Sequence, residues 1–328
     1  METEEKIIKT IGVLTSGGDA PGMNSAIRAV ARTALNNGIR VIGINRGYNG
    51  LINGDVVEIN SNFVSDIIQR GGTILYTARC KEFYEESGII KAVEKAKELG
   101  IDGLVVIGGD GSFNGAIKLC KHGLPTVGIP GTIDNDIKCT DYTIGFDTAC
   151  NIAVEAIDRL RDTARSHEKC NIIEVMGRDA GFLALDVGLA VGATDVLVPE
   201  IKSDIETEVC GNIMARKKQG KTHHIIVVSE GCDLDINDMA KIIQEKTGIE
   251  SRITVLGHIQ RGGSPTMLDR VYAAKMGSYA VNLLLAGKCN RVVAIQRNYV
   301  VDFDIEEALS MKKTIDFDAV NLCRRISK

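Results

Sequence analysis

KTIGVLTSGGDAPGMNSAIRAVARTALNNG, residues 9–38, passes from an apolar, β-branched run through a Gly-Gly-Asp turn into a helical pattern that ends on Gly. The same order returns at 108–120, where GGDGSFNGAIKLC continues the apolar run DGLVVIG. Both copies read strand, Gly-Gly-Asp, short turn, then Asn-x-Ala-Ile-Arg/Lys opening a helix. Such a turn leaves backbone N–H groups and the positive end of a helix dipole at the C-terminal edge of a parallel sheet, where α/β proteins receive ligands. Singly, either copy reads equally well as a tight βα turn using glycine for positive φ. Two copies, with PGTIDND after a further strand, make three loops suited to a ligand on one sheet edge.

Outward from this pair, short apolar runs alternate with longer helical patterns. The runs are KTIGVLT, RVIGIN, DGLVVIG, PTVGIP, NIIEVM, DVLVPE, HHIIVVS, RITVLG and RVVAIQ. Between them lie IIKAVEKAKELG, DTACNIAVEAIDRLRDTA, IETEVCGNIMARKKQG, INDMAKIIQEKTG and LDRVYAAKMGSYAVNLLLAG, mostly closing on Gly as helices commonly do. This alternation predicts an α/β fold with doubly wound, mainly parallel sheets, and the nearly continuous apolar strands fit burial on both faces. So many strands in 328 residues imply two sheets, hence two α/β/α sandwich domains. No Ser-rich or charged linker marks a boundary; the change of domain is expected after the Gly/Asp-rich stretch 131–145.

Composition narrows the function. With 44% hydrophobic residues the chain can bury ample core, and a formal net charge of −4 without a long basic run argues against nucleic acid or an anionic membrane as main partner. An anionic ligand must be held by locally gathered Arg. Nine Cys without a CxxC pair suggest reduced, mostly buried thiols in a cytoplasmic protein. The start, METEEKIIKT, is acidic and polar where a signal peptide would be basic and then apolar.

PGTIDNDI, 130–137, sets Thr132, Asp134 and Asp136 at every second position. In an extended segment their tips share one side. With Asp110 from the second Gly-Gly-Asp turn, these carboxylates suit Mg²⁺ and a general base, though Asp commonly caps turns in such loops. Cationic residues in Gly-punctuated settings tilt the balance: GGTILYTARC (71–80), RLRDTARSHEK (159–169), VMGRDAG (175–181) and VLGHIQRGGSP (255–265). Acidic loop, Gly-rich turns and Arg clusters together point to phosphoryl transfer between two phosphorylated ligands.

Three motifs mislead. QGKT at 219–222 resembles the end of a P-loop, but Ala215 stands where GxxxxGK[ST] needs Gly, and the motif closes a helical pattern. No GxGxxG links strand to helix, so a dinucleotide site lacks its fingerprint. His223-His224 opens a strand with no further ligand at metal spacing and reads as a structural pair.

TSGGDAPGMN, GGTILYTAR, GGDGS, PGTIDNDI, TIGFDTA, RLRDTARSHEK, IEVMGR and VLGHIQRGGSP, in that order, resemble the bacterial ATP-dependent 6-phosphofructokinase family from about residue 10 to the C-terminus. The resemblance implies Mg²⁺-dependent transfer of the γ-phosphoryl group of ATP to the 1-hydroxyl of fructose 6-phosphate by a cytoplasmic homotetramer. It implies a larger ATP-binding domain, 1–145 plus about 260–310, and a smaller fructose 6-phosphate domain, 146–259 plus about 311–328. Asp134 would be the base, with Thr132 and Asp136 beside it, and Asp110 would bind Mg²⁺. Gly18, Tyr48, Arg79, Cys80, Gly109, Gly111 and Ser112 would line the nucleotide site, Gly18 and Arg79 nearest the transferring phosphate, while Arg178 holds the developing charge. Met176, Gly177, Glu230, His258 and Arg261 would hold the sugar phosphate, with Arg252 and Lys169 reaching its 6-phosphate across a subunit interface.

An effector site for ADP or phosphoenolpyruvate is matched by Arg28, Arg32, Asp66, Arg161 and Lys221. The chain departs from the family pattern at Lys169, Ser61 and Thr194, where Arg, Arg and Glu are expected. The pyrophosphate-dependent branch of the family would carry Asp and Lys where this chain has Gly111 and Gly131, so ATP is favoured as donor. A non-catalytic sensor on the same scaffold would have lost the base or the transition-state Arg, and Asp134 and Arg178 are both present.

Overall fold

The computed structural model describes residues 8–326. Residues 1–7 and 327–328 lie outside these, and with them most of the segment read as an acidic, polar start. In chain order the strands are β1 (Thr10–Thr15), β2 (Arg40–Ile44), β3 (Val56–Ile59), β4 (Gly103–Gly108), β5 (Thr126–Pro130), β6 (Cys170–Val175), β7 (Asp195–Leu197), β8 (His224–Ser229), β9 (Ser251–Val255), β10 (Arg291–Gln296) and β11 (Tyr299–Asp304). The helices are α1 (Met23–Asn36), α2 (Tyr48–Asn53), α3 (Glu86–Glu98), α4 (Asp110–Lys121), α5 (Phe146–His167), α6 (Phe182–Ala190), α7 (Cys210–Lys218), α8 (Ile236–Thr247), α9 (Met267–Leu285), α10 (Ile305–Ser310) and α11 (Phe317–Ile326). All nine apolar runs become strands. The helical pattern from Ile205 opens as a π turn, Ile205–Val209, before α7, with Asp204 accepting from the Glu206 and Thr207 amides.

Two compact units result. One comprises the chain up to Ile133, Ile137–Thr148 and Arg261–Lys313. Its sheet has the order β11-β10-β5-β4-β1-β2-β3, parallel within and closed at each edge by an antiparallel strand, β3 against β2 and β11 against β10. The inner strands β1 and β4 are buried along their whole length, with Val13 beside Val105 and Leu14 beside Val106, because helices cover both faces. One face packs Leu14, Ile44 and Leu104 against Ile89, Val93 and Leu119 from α3 and α4. The chain leaves β1 for β2 on one side and later enters β4 on the other, so strand direction of travel reverses between β1 and β4. Both Gly-Gly-Asp turns open at this switch point, where an open α/β sheet forms its ligand crevice.

The second unit comprises Asp134–Asp136, Ala149–Gln260 and the chain from Thr314. Its sheet is all parallel, β7-β8-β6-β9. Its core gathers Ile172, Leu197, Ile226 and Val228 with Val209, Ile213, Met239 and Ile243. Here travel reverses between β6 and β9, and the turns that follow those strands carry Met176-Gly177-Arg178 and Gly257-His258. Among the described residues no helix is long and apolar enough to cross a membrane. Cys139, Cys170, Cys210 and Cys323 are buried, four others are half-buried and Cys289 is exposed, so fewer thiols sit in the core than composition suggests.

Candidate active site

At the switch point of the larger unit, β1 ends and the chain turns through Gly17 and Gly18. Gly18 lets the Arg261 guanidinium approach closely: a Cβ there would stand 2.5 Å from its Nη1 and displace it, and that guanidinium donates to the Asp19 carbonyl at 3.1 Å. After β4, extended Gly109 leads into α4, whose first residue is Asp110. Partial burial pushes the Asp110 carboxyl up, opposed by the charge of Lys138. A Cβ on Gly111 would meet nothing within 4 Å, so the space beside Asp110 is open.

The Ser112 carbonyl accepts from the Tyr48 hydroxyl at 2.5 Å, and the Tyr48 ring stacks on Phe83 at 4.0 Å. Tyr48 is therefore part of the core beneath the crevice, with Cys80 packed against the same cluster. It braces the start of α4. Arg79 is exposed.

The 130–137 loop does not take the extended form that would set three polar tips on one side. It bends at Ile133 and Asp134, and Asn135 adopts a left-handed φ of 51°. Burial along the bend is uneven: Asp134 is buried, while Thr132 and Asp136 are only partly so. Gly131 also differs from the open position expected of it, since a Cβ there would press Ile107 Cγ2 at 3.1 Å and Met23 Cε at 3.3 Å. Of the two glycines that distinguish this chain from the pyrophosphate pattern, only Gly111 faces open space.

In the second unit, β6 delivers a strained turn. Gly177 has φ 141°, where a Cβ would strike the Ala180 carbonyl at 2.6 Å, and Arg178 itself holds φ 52°. Glu230, after β8, fixes this turn by accepting through Oε1 from the amides of Gly177 at 3.2 Å and Arg178 at 2.9 Å. Gln260 Oε1 accepts from the Met176 amide at 2.9 Å. So held, Arg178 places Nε 3.3 Å from Oδ2 of Asp134. Glu174, on β6, has its carboxyl raised by burial and by the charge of Glu230. His258 is exposed beyond β9.

On the same unit a cavity of about 160 Å³ is lined by Thr163, Ala164, His167, Lys169, Asn171 and Arg252. Glu250 bridges its two strong cations, 3.0 Å from Lys169 Nζ and 2.6 Å from Arg252 Nη2. The residues matched to an effector site divide between the units. In the first, Arg32 donates to the Ser61 carbonyl at 3.1 Å, Arg28 is half-buried and Asp66 is exposed. In the second, Arg161 donates to the Val191 carbonyl, and burial with Arg216 and Arg161 nearby lowers the Lys221 ammonium. Thr194 is buried, its hydroxyl 3.4 Å from His224 Nδ1.

Among the described residues no three His, Cys, Asp or Glu side chains gather as a metal cage. A single half-buried carboxylate beside open space, Asp110, fits a Mg²⁺ held mainly by water and substrate phosphates. Gln260 and Asp269 lie within the stretches VLGHIQRGGSP and LDRVYAAKMGSYAVNLLLAG, and neither carries a sequence-based expectation of a role.

A phosphofructokinase model matches residues 10–284. The chain is 54% identical over 321 residues to "ATP-dependent 6-phosphofructokinase" of Clostridium botulinum strain Hall, covering 98% of this chain and 100% of that protein. It is 56% identical over 320 residues to the protein of the same name from Alkaliphilus metalliredigens, with the same coverage. Phosphofructokinase from Saccharomyces cerevisiae superposes with a TM-score of 0.87 at 33% identity over 92% of this chain, which spans 45% of the longer yeast chain. Similarity of this extent, running through both sheets and both switch points, is that of common descent, and the chain belongs to the phosphofructokinase family.

Proposed function

We infer that this chain transfers the γ-phosphoryl group of ATP to the 1-hydroxyl of fructose 6-phosphate, giving fructose 1,6-bisphosphate and ADP, the committed step of glycolysis. The observation that carries the mechanism is the buried Asp134 facing Arg178 at 3.3 Å. Asp134 accepts the 1-hydroxyl proton as that oxygen bonds to the γ-phosphorus; the bond from phosphorus to the β–γ bridging oxygen breaks, and ADP leaves with the electron pair. Arg178 stabilises the charge spreading over the transferring group, and its braced turn keeps the guanidinium in place before substrate arrives.

The larger unit supplies the nucleotide site. Gly18 and Gly109 bring backbone N–H groups close to phosphate, Gly111 and Ser112 continue that edge, and Arg79 and Cys80 border it, with Tyr48 as support beneath. Asp110 would hold Mg²⁺, which supplies charge neutralisation on the donor phosphates. Thr132 and Asp136 flank the base. Met176, Gly177, His258, Arg261 and the second oxygen of Glu230 hold the sugar phosphate. Lys169 and Arg252, clamped by Glu250, receive its 6-phosphate across a subunit interface in a homotetramer. Arg28, Arg32, Asp66, Arg161 and Lys221 would contribute to an effector pocket for ADP or phosphoenolpyruvate between subunits, weakened by Ser61 and Thr194, which lack the Arg and Glu of the family pattern. We place the reaction in the cytoplasm.

ATP is favoured over pyrophosphate because Gly111 leaves open space beside Asp110, room that a longer donor needs. The test follows fructose 1,6-bisphosphate formation from fructose 6-phosphate and Mg²⁺ with either donor, using wild type and Asp134→Ser. ATP-only turnover that collapses in the variant supports donor, reaction and base together. Turnover with pyrophosphate overturns the donor argument, and none with either donor favours a sensor. Adding phosphoenolpyruvate or ADP to the rate curve tests the effector site, and unchanged cooperativity counts against it.

A further inference from the structure

We propose that Asp269 is a positioning residue for phosphoryl transfer, holding the return segment 142–148 that pins the stretch leading into Asp134. The inference rests on Asp134 being the base. Asp269 lies in the first turn of α9 and is fully buried, 0% exposed. Its Oδ1 accepts from the Tyr142 hydroxyl at 2.6 Å and the Gly145 amide at 2.6 Å. Its Oδ2 accepts from the Thr148 amide at 2.9 Å and from the Thr148 hydroxyl. That hydroxyl accepts in turn from the Thr266 amide at 3.0 Å, so its proton and a lone pair are both engaged.

Four donors from three residues converge on one carboxylate. Only an acceptor-only group meets all of them, since the amide of an Asn would turn its own N–H groups toward two donors. The segment so fixed is stitched to the base loop. The Thr143 hydroxyl donates to the Thr132 carbonyl at 2.7 Å, the Ile144 amide donates to the Pro130 carbonyl at 3.0 Å, and Gly131 bridges to Ile144. Gly145, with φ 104°, lies so close that a Cβ there would stand 2.6 Å from Ala20 and 3.3 Å from Ile133. The residues from which the chain runs directly into Asp134 are thus held from behind by a helix distant in sequence. Capping α9 needs none of this, because the Thr266 side chain already accepts from the Asp269 amide at 3.3 Å.

The test compares wild type, Asp269→Asn and the milder Tyr142→Phe, which deletes one donor and leaves both backbone donors intact. A displacement of about 1 Å at reacting groups costs on the order of 100-fold in rate. We expect kcat per folded enzyme to fall at least about tenfold in Asp269→Asn and a few-fold in Tyr142→Phe, with both KM values within about threefold of wild type. Hydrogen exchange of the 130–137 amides should quicken in both variants, while the β4 amides exchange at the wild-type rate. A merely structural Asp269 lowers Tm yet leaves kcat per folded enzyme and the 130–137 amides unchanged, which overturns the proposal. Should Asp269→Asn not fold, Tyr142→Phe decides by the same two readouts. Wild type lacking turnover would refute the reaction instead, and the exchange at 130–137 would still decide whether Asp269 holds the loop.

Discussion

Replacing Asp134 with Asn should separate activity from stability. The Asp134 side chain is 1% exposed and the side chain of its partner Arg178 is 61% exposed, 3.3 Å away. A pair with one member so open to water is worth only about 1 kcal/mol. Keeping a carboxylate charged at 1% exposure costs several kcal/mol after relaxation, on the order of magnitude found for buried ions. Asn preserves shape and removes that cost, and the released Arg178 can turn back to water instead of remaining as a stranded buried charge. Because Asp134 has further contacts that also compensate its charge, stability should stay within about 1 kcal/mol of wild type, or ~2–4 °C in Tm for domains of this size. Activity should fall, because a general base contributes about 10²- to 10⁴-fold, equivalent to about 3–5 kcal/mol of barrier. The assay pairs kcat at saturating ATP and fructose 6-phosphate with a thermal melt of the same preparation. A variant whose Tm drops by more than about 4 °C while kcat stays within tenfold would refute the reasoning and make Asp134 a structural ion-pair partner.

Other outcomes follow from single contacts. Lys169→Arg replaces a point charge by a fork, so the fructose 6-phosphate KM should fall several-fold with kcat little changed; an unmoved KM would remove Lys169 from the sugar phosphate site. Gly111→Asp places a carboxylate in open space beside Asp110, and steady-state kinetics should show a higher ATP KM with an unchanged Tm. Burial, with Lys221, Arg216, His223 and Lys217 nearby, pushes the His224 imidazole down to about 4. Its unfolded form binds the extra proton, so stability should be fully present above about pH 6.5 and decline toward pH 4. Between pH 7 and 5 the loss is about 2 kcal/mol, and a His224→Gln melt series should show a shallower slope.

The inner strands were legible because burial on both faces leaves an apolar signature that needs no knowledge of neighbours. The two strands that escaped, VVEI of β3 and YVVDFD of β11, are the antiparallel edges; partly exposed, they mix polar and apolar residues and carry no such signature. The short helices α2 and α10 escaped for want of enough turns to show a period, α6, FLALDVGLA, because it is apolar all round, and α11, FDAVNLCRRI, because it buries only Val320 and Cys323. Site residues were legible where a motif names them, and their geometry was not. Alternation along PGTIDNDI presumed an extended chain, and the left-handed Asn135 broke it. Thr266-Met-Leu-Asp269 has the spacing of a helix capping box, but its carboxylate reaches Tyr142, Gly145 and Thr148, partners no local pattern can announce.

The threading of the chain has a consequence for synthesis. Every strand of the four-stranded sheet lies between Cys170 and Val255, so that sheet is complete while the segment bearing β10 and β11 is still being made. The larger sheet waits: β5, already paired with β4, gains its second neighbour only when Val292 arrives beside Gly128, and α9, which packs on α1, precedes that step only shortly. Nascent chains usually mature from the N-terminus onward. In this chain the N-terminal strands emerge first and are sealed last, so a truncation after Val255 should yield a protein whose early half behaves as a chaperone client.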